Sequence, residues 1–78
     1  FLTYQDKDNL NISFNSISDD EVTLKLIDLY GNELKLLNER LTSGEYTIKK
    51  SLNSISQGFY ILNLNQGIIN KTIKIIVK

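Results

Sequence analysis

The sequence contains no cysteine and no histidine. Without cysteine the chain can form neither a disulfide framework nor a thiolate metal site. Without histidine it lacks the commonest general base and the commonest ligand of transition metals. A catalytic triad and a thiol nucleophile are therefore excluded, and no glycine-rich phosphate loop is present either. We expect a protein that is not an enzyme and has no catalytic residues, no metal site and no cofactor.

Long apolar runs, proline and methionine are also absent. No segment approaches the roughly 20 apolar residues that span a bilayer, and the first residues lack the pattern of a signal peptide. A length of 78 residues indicates one small domain. A hydrophobic content of 41% is adequate for a packed core. Because the chain opens at Phe1 without an initiator methionine, we expect it to be a covalent part of a larger protein.

Charge is balanced overall but unevenly distributed. Residues 1–45 hold all nine acidic residues and four basic ones, whereas residues 46–78 hold five lysines and no acid. This asymmetry indicates a basic surface that meets an acidic partner. Alternatively, the two halves lie side by side and neutralise each other. Because residues 46–78 contain lysines but no arginine and no clustered aromatics, they do not favour nucleic acid as a partner.

Short segments of alternating apolar and polar residues recur along the chain, and each is bounded by a turn rich in Gly, Asn, Ser or Asp. This period of two is typical of strands with one buried face. The segments are 10–14, 22–29, 46–50, 58–64 and 68–78. The spacing predicts a small all-β sandwich or barrel. Residues 1–9 are predicted to be a lead-in or linker, and residues 10–78 the domain itself.

The segment that follows Gly31 is ambiguous. Leu34, Leu37 and Leu41 lie at helical spacing, whereas Leu34 and Leu36 also fit a strand. A tight two-residue hairpin turn at Gly31-Asn32, which needs positive φ, favours the strand. Local propensity leaves both possibilities open for residues 33–43.

The last segment, 71–78, interleaves basic and aliphatic residues. Alternation places Ile73, Ile75 and Val77 on one face, and it places Ile76 among the lysines on the other face. The second face therefore carries more apolar surface than an edge strand requires, which indicates that another element covers it.

Five motifs in a fixed order resemble the type A C-terminal sorting domain of cargo proteins of the type IX secretion system in Gram-negative bacteria. The motifs are the alternating strand 10–14, the Asp-x-x-Gly ending at Asp28 and Gly31, Gly44-Glu45-Tyr46, Gly58-Phe59-Tyr60 and the basic-aliphatic segment 71–78. The resemblance covers essentially the whole chain. One difference concerns the start, because the family opens with a Pro-Asn-Pro element and this chain has no proline.

The resemblance implies a small Ig-like antiparallel β-sandwich of about seven short strands. It also implies that residues 33–39 are extended. The expected function is a secretion signal that takes its cargo across the outer membrane. The implied partners are the outer-membrane translocon, shuttle proteins and a sortase-like peptidase that removes the domain. The implied destination, reached through the periplasm, is the cell surface or the medium.

Two groups of residues follow as candidate sites. A terminal strand can pair with a partner's sheet edge or lie in a groove, so we expect translocon recognition at Lys71, Thr72, Lys74, Ile75, Ile76, Val77 and Lys78. The residues expected to have structural roles are Asp28, Gly31, Gly44, Tyr46, Gly58, Phe59 and Tyr60. The alternative for the aromatic members, Tyr46, Phe59 and Tyr60, is an aromatic ligand platform, but core and rim positions are favoured.

An Ig-like or fibronectin-like spacer, or an adhesive module that binds carbohydrate or protein, is the alternative function. The sequence also leaves open whether segment 71–78 is free, paired within the domain or swapped between copies. Exposed edge strands in so small a domain further predict a homodimer formed by edge-strand pairing.

Overall fold

The computed structural model describes all 78 residues, as seven strands and one short 3-10 turn. The strands are β1 (Leu2–Gln5), β2 (Asn9–Ser16), β3 (Asp20–Asp28), β4 (Glu33–Leu41), β5 (Gly44–Ser51), β6 (Gly58–Gln66) and β7 (Ile69–Val77). The 3-10 turn is Leu52–Ser54. One antiparallel sheet has the order β1-β2-β5, and the other has the order β4-β3-β6-β7. The prediction of a small Ig-like antiparallel β-sandwich is confirmed.

The core lies between the two sheets and is purely aliphatic and aromatic. Eleven hydrophobic residues are buried there. They are Leu10, Ile12, Phe14, Val22, Leu24, Leu26, Leu36, Leu62, Leu64, Ile75 and Val77. Within β2, β3, β6 and β7 they recur at every second position, because successive side chains of a strand point to opposite faces of the sheet. Period-2 alternation in the sequence therefore identifies the buried faces of these four strands.

Strand β4 confirms the extended conformation expected for residues 33–39. Its pairing with β3 shifts register, since Leu24 lies opposite Leu37 while Lys25 lies opposite Lys35. The extra residue, Leu36, is buried. A β-bulge of this kind adds one residue to one strand of a pair. Leu34 and Leu37, both on the core side, are consequently three residues apart, which explains the helix-like spacing in the sequence.

Strand β1 lies within residues 1–9, the segment predicted to be a lead-in or linker. It pairs with β2 from Leu2 opposite Ser13 to Gln5 opposite Leu10. The connection is closed by the carboxylate of Asp6, whose Oδ1 accepts hydrogen bonds from the backbone N–H groups of Asp8 at 3.0 Å and Asn9 at 2.8 Å. The apolar side chains of β1 contribute little to the core, since Leu2 is 73% exposed. That exposure is why hydrophobic patterning gives no signal for this strand.

The connection between β3 and β4 also differs from expectation. Gly31 has φ +86°, but no other residue of this connection has positive φ, so a two-residue Gly-Asn turn does not form. The chain instead takes a four-residue connection from 29 to 32. Asp28 organises it, because its backbone N–H donates to the carbonyl of Asn32 at 3.0 Å and its carbonyl accepts from the N–H of Gly31 at 3.2 Å.

The buried polar side chain of Gln66 stabilises the end of the sandwich opposite the β3–β4 connection. The amide of Gln66 donates to Ser16 Oγ at 2.7 Å and to the Ser18 carbonyl at 2.9 Å. Its Oε1 accepts from the backbone N–H of Ile17 at 3.0 Å. Every buried polar side-chain atom has a partner in the structure, as stable cores require. Gln66 on β6 therefore holds the β2–β3 loop in place.

Candidate functional site

Strand β7 lies at the edge of the four-stranded sheet. It pairs with β6 over its whole length, from Gln66 opposite Ile69 to Gly58 opposite Val77. The last strand is thus paired within the domain's own sheet rather than free or swapped. Its other edge has no neighbouring strand. An edge of this kind exposes a row of backbone N–H and C=O groups to an incoming chain.

The seven residues expected to be recognised fall into two groups. Ile75 and Val77 are buried in the core, only 6% and 2% exposed. The other five, Lys71, Thr72, Lys74, Ile76 and Lys78, are exposed. A partner that meets the folded domain can contact the exposed group alone, while the buried pair holds β7 in the sandwich.

The outer face of the four-stranded sheet carries an apolar patch, formed by Ile27, Leu29, Phe59, Ile61 and Ile76. Register explains its assembly, because Ile27 lies opposite Ile61, and Phe59 lies opposite Ile76. Apart from Ile27, which is partly buried, these side chains are between 41% and 77% exposed. The same side chains line a shallow groove of about 410 Å³. Contiguous exposed apolar surface of this kind is typical of interaction sites.

Positive charge borders the apolar patch. Lys74 lines the groove, and Lys78 lies on the same face of β7, whereas Lys71 is exposed on the other face, since it lies opposite the core residue Leu64. None of the three forms an ion pair, since the one salt bridge of the chain joins Lys25 and Glu33 at 3.3 Å between Nζ and Oε1. The outer side of β7 therefore combines apolar groups with the basic Lys74 and Lys78, while the acidic Asp28 lines the groove from β3.

A contact from the other sheet reaches the open edge of β7. The side-chain amide of Gln5, at the end of β1, donates to the backbone carbonyl of Ile76. The Oε1 atom of Gln5 accepts from the backbone N–H of Lys78 at 3.2 Å. The first and last strands are thereby joined across the open side of the sandwich.

The two Gly-x-Tyr motifs build the same local structure twice. Gly44 has φ +148° and Gly58 has φ +149°, a backbone region that favours glycine. Two residues later, the hydroxyl of Tyr46 donates to the carbonyl of Thr42 at 2.9 Å, and that of Tyr60 donates to the carbonyl of Ser56 at 2.6 Å. Each tyrosine thus hydrogen-bonds the chain just before its own strand, as in the tyrosine corner of Ig-like sandwiches.

The side chain of Asp28 accepts three further hydrogen bonds. Its Oδ1 receives the backbone N–H groups of Tyr30 and Asn32, both at 2.9 Å, and its Oδ2 receives the Asn32 side-chain amide at 3.0 Å. The Asn32 amide first, and then these backbone N–H groups, hold the pKa of Asp28 below its ordinary value of 3.8 because they stabilise the charged carboxylate. Its surroundings indicate a structural role in the turn.

The three aromatic residues of the motifs do not form one platform. Tyr46 stacks on Phe14 with 5.9 Å between ring centroids, and Tyr60 packs against the core from β6. Phe59 points the other way and is 61% exposed. It belongs to the apolar patch rather than to the interior. No group of three acidic residues that would hold a metal ion occurs.

Sequence reasoning missed both Gln5 and the extent of the apolar patch. Gln5 meets residues more than 70 positions away, and no local pattern marks such a contact. The patch did leave a signal, because the alternation of β3 breaks at Ile27 and Leu29. Those two side chains belong to the outer face, as Ile76 does on β7.

The structure lacks any helix with the length and apolar character needed to traverse a bilayer. In comparisons with known proteins, a family model described as "Secretion system C-terminal sorting domain" matches residues 6–78 of the chain. No significant match is found among curated proteins or among solved structures.

Proposed function

Since the chain belongs to the family of secretion system C-terminal sorting domains, we propose that the outer-membrane translocon recognises it through the exposed side of β7. The domain is a type IX secretion signal carried by a larger cargo protein, and its family is one of sorting signals rather than of enzymes. The observation that carries the proposal is the family match over residues 6–78. An apolar and basic strand surface without intramolecular ion pairs supports it.

Recognition involves the exposed residues Lys71, Thr72, Lys74, Ile76 and Lys78. The lysines attract an acidic receptor surface and speed encounter. The apolar patch supplies the contact area that is removed from water, which is the main source of affinity. Ile75 and Val77 contribute by keeping β7 in the sheet, so their role in sorting is indirect.

Later steps follow the family's function. Shuttle proteins pass the cargo to the translocon, and a sortase-like peptidase cuts the domain off after passage. The cargo reaches the cell surface or the medium, either released or attached to lipopolysaccharide. A spacer or adhesive module of Ig-like fold would have the same sandwich, so the fold by itself does not discriminate the two functions. The family match favours sorting.

The test is a fusion of residues 1–78 to the C-terminus of a reporter that carries an inner-membrane export signal, expressed in a host with type IX secretion. All seven strands are included because β1 is part of the sheet. We expect the reporter outside the cells, without the domain. Accumulation of the intact fusion in the periplasm, with the same host secreting its own cargo normally, would contradict the proposal.

A further inference from the structure

The side chain of Gln5 occupies the open edge of β7 in the way that a neighbouring strand would. Its primary amide carries an acceptor oxygen and two N–H donors, one of which it uses here. The donor meets the carbonyl of Ile76 and the acceptor meets the N–H of Lys78. These are backbone groups two residues apart on the same edge, which is the spacing at which a strand ladder uses them. Gln5 thus imitates the N–H and C=O groups of one residue of an added strand.

The rest of the edge is open. Backbone groups of alternate residues point to the same side of a strand. The N–H and C=O groups of Thr72 and Lys74 therefore point to the open edge together with those of Ile76 and Lys78. No strand of the domain pairs there. An extended segment on this edge would form more hydrogen bonds than the two made by Gln5. Gln5 can therefore be displaced by a competitor of the right length.

We infer that the open edge of β7 is a strand-addition site for an extended segment of the sorting partner, and that Gln5 closes this site in the free domain. The inference rests on the proposed recognition of β7. It adds the mode of binding, which is backbone pairing, and the residue that regulates it. Gln5 directly precedes the region that the family model matches, residues 6–78, so the closing contact comes from outside the matched region.

The outer face of β7 defines the chemistry of the segment. Lys74, Ile76 and Lys78 are exposed at alternate positions of this face, and cross-strand neighbours on one face of a sheet contact each other directly. The complementary strand therefore carries an acidic, an apolar and an acidic side chain at alternate positions. This pattern is the same in both chain directions, so it suits parallel and antiparallel addition.

A synthetic peptide with this pattern, Ser-Glu-Thr-Val-Thr-Glu-Ser, provides the probe. It is titrated into isotope-labelled residues 1–78 while backbone amide chemical shifts are followed by NMR. We expect the largest shifts at Lys74, Ile76 and Lys78. A peptide with lysine in place of both glutamates tests the charge pattern, and one with N-methylated edge-facing amides tests backbone pairing. Both control peptides should bind at least about tenfold more weakly.

The closing contact is tested with Gln5→Ala. Removing the competing amide should tighten binding of the probe by about fivefold, and the Lys78 amide should exchange with solvent faster in the absence of the peptide. The matched control is Gln57→Ala, because Gln57 is exposed and makes no side-chain hydrogen bond. It should behave as the unaltered domain does. Equal affinity of Gln5→Ala and the unaltered domain would overturn the role of Gln5.

Failure of the inference is distinguishable from failure of the proposed function. If the probe leaves β7 unshifted in Gln5→Ala, or if the N-methylated peptide binds equally well, strand addition is wrong, even where the reporter fusion is secreted. If the fusion stays in the periplasm, the sorting function is wrong, whatever the peptide does.

Discussion

At the scale of single residues, two tyrosines carry out the same task at different places in the chain. Tyr46 and Tyr60 each follow a glycine of positive φ by two positions, and each hydroxyl donates to a carbonyl four residues upstream. The hydrogen bonds fix where β5 and β6 begin. Since β6 is the neighbour of β7, the second of these bonds also positions the candidate recognition strand.

Removal of either hydroxyl should destabilise the domain without disturbing its packing. We expect Tyr46→Phe and Tyr60→Phe each to lower the free energy of unfolding by about 1 kcal/mol, the net contribution of a typical hydrogen bond. Tyr30→Phe is the control, because Tyr30 is 89% exposed and its hydroxyl has no partner. Urea unfolding measures the three differences. If Tyr60→Phe were as stable as Tyr30→Phe, the hydrogen bond from Tyr60 to the Ser56 carbonyl would not contribute to the stability of the domain.

The lowered pKa of Asp28 predicts a dependence of stability on pH. A carboxyl group whose pKa is lower in the folded than in the unfolded state stabilises the fold above its unfolded pKa, near 3.8, and this contribution is lost as the pH falls through the folded pKa. Asp28→Asn should therefore be less stable than the unaltered domain at pH 7. The difference should shrink when both are unfolded in urea below about pH 3.

Asp8→Asn is the matched control for this pH series, because the Asp8 side chain accepts no hydrogen bond in the structure. It should differ little from the unaltered domain at pH 7. A stability gap between Asp28→Asn and the unaltered domain that stayed as large below about pH 3 as it is at pH 7 would show that the charge of the Asp28 carboxylate does not stabilise the turn.

At the scale of elements, β7 has one face that is buried in the fold and one exposed face that we propose for contact. Ile75 is 6% exposed and lies in the core, whereas its neighbour Ile76 is 49% exposed on the apolar patch. A deletion that shortens β7 removes both functions together. Substitutions confined to one face separate them.

The two isoleucines provide a matched pair for this separation. Ile75→Ala should lower the free energy of unfolding by roughly 2–5 kcal/mol, the cost of a large-to-small change in a core. Ile76→Ala should change it by no more than about 0.5 kcal/mol, as surface substitutions do. Thermal unfolding of both variants checks this. Equal losses of stability would mean that Ile76 belongs to the core and is not available to a partner.

The buried face of a strand was predictable where the two-residue period of its side chains alone determines it. In β2, β3 and β7 the alternation of apolar residues places the buried side chains correctly, because the side-chain period of a strand is two. In β4 the bulge at Leu36 shifts the alternation by one residue. A helix and a bulged strand then produce the same spacing of Leu34, Leu37 and Leu41, and only the family resemblance separated them.

Tertiary contacts were not predictable in the same way. Sequence reasoning missed β1 because its polar residues and exposed Leu2 leave no hydrophobic pattern. Only its pairing with β2 identifies this segment as a strand. Gln5 was missed because its partners lie at the other end of the chain. The candidate strand itself was found from its composition. The division of its residues into a buried and an exposed group required the pairing with β6.

At the scale of the whole molecule, charge distribution and fold place the basic groups where a partner can reach them. The formal net charge is zero, yet the lysines of β7 pair with none of the nine acidic residues. Direct neutralisation between the two halves of the chain, which composition alone allowed, does not occur on this strand. The sandwich therefore presents a local positive surface, which would attract an acidic partner.

The central claim is that secretion depends on the exposed side of β7. The most direct measurement is the amount of reporter that is secreted by a fusion carrying Lys71→Glu, Lys74→Glu and Lys78→Glu together. The control fusion carries Lys7→Glu, Lys35→Glu and Lys49→Glu, which are exposed lysines away from β7 and change the net charge equally. We expect the β7 variant to lose about tenfold or more of its secretion and the control to keep most of it. Equal secretion of the two fusions, with both domains folded, would contradict the claim.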